Sequence, residues 1–151
     1  MRPIVSLVIA LVKTILVAIF IHEAMHYGVS EAMGGAGYVT FPGLIAGYYY
    51  FTVYPDPVWP TLLAGGLGTA AFMGIGWSLA RWTPTHQDFH VELSRAVVAA
   101  LHLGYCIAEL WIFCNRPLYN ILYPILATVC PVTVIFLYRN KLIEYVLDKA
   151  R

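Results

Sequence analysis

Apolar positions along this chain fall into four long runs, separated by short polar or turn-forming stretches. The first extends from about Pro3 to Met33, and Lys13 is its only charge before Glu23. A hydrocarbon core of about 30 Å takes ~20 helical residues, so this run predicts a helix long enough to cross a membrane and protrude. Gly34-Gly35-Ala36-Gly37 ends it. The other runs predict helices over about 58–82, 92–114 and 118–138, with a polar loop at 83–91 and a turn at Asn115-Arg116-Pro117. Pro124 and Pro131 are expected kinks in the last of these. Residues 139–151 are charged and fit an amphipathic surface helix. Residues 38–54 differ in kind. Aromatic and β-branched residues alternate there with turn formers, which predicts a short membrane-associated strand pair or hairpin between helices one and two. Its tyrosines, Tyr48, Tyr49, Tyr50 and Tyr54, suit a membrane interface. The expected fold is therefore all-α integral membrane, a single domain over 1–151 with about four transmembrane helices.

Composition strengthens that picture. Of the 151 residues, 60% are hydrophobic and 11% charged, and the mean hydropathy is +0.73; soluble domains carry about 25% charged residues. The expected surroundings are a lipid bilayer. A net charge of +1 offers no electrostatic case for nucleic acid. Cys106, Cys114 and Cys130 lie in apolar runs without metal-type spacing and read as small buried side chains. The N-terminal run continues into His22 without a small-residue cleavage site, so it reads as a retained helix, not a signal peptide. Arg2, Arg81, Arg95, Arg139, Lys141, Lys149 and Arg151 fall on one side of a four-span arrangement and only Arg116 on the other. By the positive-inside rule both termini are cytoplasmic and the hairpin faces outward.

Candidate chemistry sits at the end of the first run, in His22-Glu23-Ala24-Met25-His26. Positions i and i+4 of a helix share one face, so His22 and His26 can point at one metal ion. Glu23 lies about 100° round the helix, within reach of a water on that metal. This is the His-Glu-x-x-His arrangement of zinc hydrolases. Lys13 reads as a side chain that snorkels or lines the bundle interior. His86 and His90 are also four apart, but beside Pro84 and Asp88 they read as solvated loop residues.

Catalytic zinc takes three protein ligands and keeps a position for water. Helix rise puts His22 about 28 Å and Glu109 about 26 Å from the cytoplasmic side, against about 15 Å for His102. Glu109 is thus the expected third ligand. His102 is the alternative, otherwise read as a packed, hydrogen-bonded histidine. A Glu109–Arg116 pair is the structural reading of the same carboxylate. Gly65 to Gly68 reach the same depth, in a helix whose small residues permit close backbone approach.

The His-Glu-x-x-His at the end of an apolar helix, the Gly-rich strand-like 34–57 segment and the helix bearing Leu63-Ala64-Gly65-Gly66-Leu67-Gly68 together resemble the site-2-protease-like intramembrane zinc metalloproteases. The likeness covers roughly residues 15 to 75. It departs from the family pattern where Gly66-Leu67-Gly68-Thr69 stands in place of a proline- and asparagine-bearing motif, and no Asp-Gly pair occurs. The resemblance implies cleavage of a transmembrane protein substrate, with Zn²⁺ as cofactor. The residues imply His22, His26 and Glu109 as its ligands and Glu23 as the catalytic base. The alternative is a non-catalytic subunit or metal-binding accessory protein among partner membrane subunits. Five histidines are too few for a two-metal oxygenase or desaturase cluster.

Overall fold

The computed structural model describes residues 3–43, 46–82, 89–112 and 114–148. In chain order the elements are α1 (Pro3–Ala32), β1 (Ala36–Gly43), β2 (Ala46–Val53), α2 (Trp59–Trp82), α3 (Phe89–Glu109), α4 (Arg116–Leu137) and α5 (Arg139–Asp148). Four helices are long and apolar enough to cross a membrane: Pro3–Ala32, Trp59–Leu79, Phe89–Glu109 and Arg116–Leu137.

The first helix is inverted relative to a helix of a water-soluble protein. Its buried residues are Ala18, His22, Glu23, His26 and Ser30. Four of them recur every four residues, so one face turns inward and carries the polar groups. Ile4, Val8, Val12 and Phe20 are exposed on the outside, as is Lys13, which therefore does not line the interior. α1 packs against α2 and α3, and its inward face meets Met73 and Val98 around Ala18. α3 also packs against α4 and holds much of the buried surface. α4 carries no buried residue and runs without a break through Pro124 and Pro131.

The 38–54 stretch forms an antiparallel hairpin, with Tyr38 opposite Tyr50 and Thr40 opposite Tyr48. Gly34, at φ 78°, makes the turn from α1 into β1, where a side chain would be strained. The hairpin lies against α1.

Two boundaries differ from the sequence expectation. α3 starts three residues earlier than expected, because Phe89 and His90 pack on Tyr145 of α5. His90 is thus a helical residue that hydrogen-bonds the Tyr145 hydroxyl at 3.2 Å, not a solvated loop histidine. His86 lies outside the described residues. α3 ends at Glu109 instead of Cys114, where Trp111 and Ile112 donate to the carbonyls of Ala108 and Glu109 in tight turns. Asn115 then caps α4, its Oδ1 accepting from the Leu118 N–H at 3.1 Å. Glu109 and Arg116 therefore stand on different helices and do not form the pair that one continuous helix would allow. Cys106 is buried as expected, whereas Cys114 is exposed.

Candidate metal centre

His22 and His26 leave the inward face of α1 one turn apart, and Glu109 reaches them from the last residue of α3. All three are buried. His22 Nε2 and His26 Nε2 lie 3.0 Å apart, and Glu109 Oε1 lies 3.2 Å and 3.3 Å from them. Glu109, expected as the third ligand, thus stands beside both histidines. His102 is not part of this group, although its ring centroid is 5.4 Å from that of His22.

The proton inventory of the triangle decides what it can do. His26 Nδ1 donates to the Thr61 carbonyl at 2.6 Å, which leaves Nε2 of the neutral ring with a lone pair. That lone pair faces a carboxylate oxygen and a second imidazole nitrogen. A single shared proton satisfies one edge of such a triangle, whereas a cation at its centre satisfies all three. The size also fits: a tetrahedral shell at about 2.0–2.1 Å sets neighbouring ligand atoms about 3.3–3.4 Å apart. Among the described residues, buried His22 Nδ1 and Glu109 Oε2 have no hydrogen-bond partner. His22, His26 and Glu109 could therefore hold a metal ion.

Two glycines let the walls close on the site. A Cβ at Gly65 of α2 would collide with both imidazoles, coming within 2.7 Å of His22 Nε2. A Cβ at Gly47 of β2 would sit 2.6 Å from Cγ of Glu23. Each position needs a bare backbone because another group already occupies the space of a methyl.

Glu23 is buried, and its Oε2 has no partner among the described residues. With His22 it lines a cavity of about 230 Å³, walled by Gly47 and Tyr48 on one side and by His102, Tyr105 and Tyr123 on the other. An imidazole of the triangle, a carboxylate with a spare oxygen and a space for a small polar group thus share one pocket.

Sequence reasoning did not assign Thr61, Gly47, Tyr105 or Tyr123 to the site. Thr61 acts through its backbone carbonyl, which no side-chain pattern reveals. Tyr105 and His102 lie four and seven residues before Glu109, so their shared helical face was a usable signal. Compared with models of known protein families, with curated proteins and with solved structures, the chain finds no match in any of the three.

Proposed function

We propose that the chain is a multi-pass membrane protein and a zinc metallopeptidase that cleaves a peptide bond of a membrane-embedded protein. The polar inner face and apolar outer face of α1 suit a hydrocarbon solvent, where buried ionisable groups mark function. Both termini then lie in the cytoplasm, by the distribution of Lys and Arg. The observation that carries the reading is the meeting of three lone-pair donors beside a fourth buried group, Glu23, whose carboxylate opens on the same cavity. An assembly role alone leaves Glu23 and the cavity without a purpose.

His22, His26 and Glu109 would hold zinc, a borderline-soft ion suited to two imidazoles and a carboxylate. Bound there, zinc supplies a water acidified to a pKa near 7 and polarises the substrate carbonyl. Thr61 keeps His26 in the tautomer that presents Nε2. Glu23 takes the proton of the attacking water and passes it to the leaving amine, as base and then acid. A helical substrate has its amides bonded internally, so it unwinds before it reacts. The β2 strand, whose Gly47 lies against Glu23, can pair with the extended segment.

Metal analysis with a single isosteric variant tests this. Wild-type protein purified in detergent should carry stoichiometric zinc. Glu23→Gln should keep that zinc and lose roughly 10²–10⁴-fold in peptide cleavage, the usual contribution of a general base. Zinc-free wild type, or a Glu23→Gln protein that cleaves normally, would refute the assignment.

A further inference from the structure

We propose that His102 contacts the substrate: its Nε2 accepts a hydrogen bond from a backbone N–H of the extended peptide bound in the cavity. This rests on the peptidase reading above and adds to it a recognition residue that the metal and Glu23 do not supply.

The argument begins with the tautomer. His102 Nδ1 lies 2.9 Å from the Val98 carbonyl one turn earlier on α3, so Nδ1 carries the hydrogen and donates it. The opposite nitrogen, Nε2, is then an acceptor. It has no protein partner among the described residues, and it is not among the fully enclosed unpartnered atoms, although the residue is buried. His102 lines the cavity together with Glu23.

The second step is what an unwound peptide needs. Its backbone groups point to both sides, and each one left without a partner in the cavity weakens binding. On one side lies β2, with backbone groups of its own. The other wall is α3, whose interior amides and carbonyls are bonded within the helix. Only side chains can serve the peptide there. The Tyr105 and Tyr123 hydroxyls line the same side of the cavity, and a hydroxyl can either donate or accept. His102 Nε2 differs from them in carrying no hydrogen, so its partner must be a donor, which a peptide offers as N–H.

The test uses a peptide hydroxamate with two amides and its two single-ester analogues, each lacking one N–H. Affinity is measured on the zinc-loaded full chain in detergent. Wild type should bind one of the two esters about tenfold more weakly than the amide, the factor that corresponds to 1.4 kcal/mol. His102→Phe should bind the amide about tenfold more weakly and lose the preference. His102→Gln, whose side-chain carbonyl also accepts, should retain it. Equal zinc content checks that the variants are folded, and the wild-type comparison stands even where a variant is not. The proposal fails if wild type shows no preference, or if His102→Phe keeps it while binding zinc. If zinc-loaded wild type binds none of the three compounds, the peptidase reading falls and takes this one with it.

Discussion

Two polar clusters sit among the apolar helices, at opposite ends, and they differ in proton balance. At one end Trp77 Nε1 donates to the Tyr138 hydroxyl at 2.8 Å, and that hydroxyl donates to Glu92 Oε1 at 3.0 Å. Both of these donors meet an acceptor, and the bonds tie α2 and α3 to the C-cap residue of α4. At the other end two imidazole nitrogens and a carboxylate oxygen, from His22, His26 and Glu109, come within 3.3 Å of one another, with the His26 hydrogen turned away to Thr61. Both clusters hold a buried or half-buried glutamate on α3. The first is cross-bracing; the second is a group that could hold a metal ion. The distinction lies in how the groups pair: a chain of single hydrogen bonds at one end, three mutually close ligand atoms at the other.

The largest effect should come from making the same substitution at both ends. Glu109→Gln keeps shape and volume but weakens one donor to a cation, and zinc retained through purification should fall from stoichiometric to near zero, with cleavage lost. Glu92→Gln should leave zinc unchanged and cost about 1 kcal/mol, the difference between a charged and a neutral hydrogen bond. Metal analysis and thermal melting of the two variants read this directly, and equal zinc contents would erase the contrast.

Gly65→Ala should come next. The added methyl meets both imidazoles, and overpacking of this kind costs roughly 1–3 kcal/mol. Zinc affinity should fall by at least about tenfold. Gly28→Ala in α1, where a Cβ meets nothing within 4 Å, is the control and should be neutral or stabilising by about 0.5–1 kcal/mol. A metal titration that cannot tell Gly65→Ala from wild type would show that the α2 wall does not define the site.

The smallest effect belongs to the balanced cluster. Tyr138→Phe removes the hydroxyl between Trp77 and Glu92 and should lower the melting temperature by an amount worth about 1–2 kcal/mol. Zinc content and cleavage should stay at wild-type levels. Loss of zinc in this variant would mean that the two ends are coupled.

What the sequence determined by itself was local. Run lengths set the four long helices, turn formers among aromatic and β-branched residues set the hairpin, and a spacing of four put His22 and His26 on one face. Depth along the helices also singled out Glu109, because helix rise turns residue number into height. Height is one coordinate of three, however, and it left His102 and Arg116 as competitors. Only the packing of α3 against α1 decided between them, by bringing Glu109 Oε1 to 3.2 Å from His22 and leaving His102 on the cavity wall. The earlier start of α3 was equally invisible, since Phe89 and His90 are held by Tyr145 more than fifty residues away. So too was the grip of the Thr61 carbonyl on His26, because a backbone group leaves no mark in a sequence. Periodicity records which face of a helix is shared; which neighbour that face meets is settled when the helices pack.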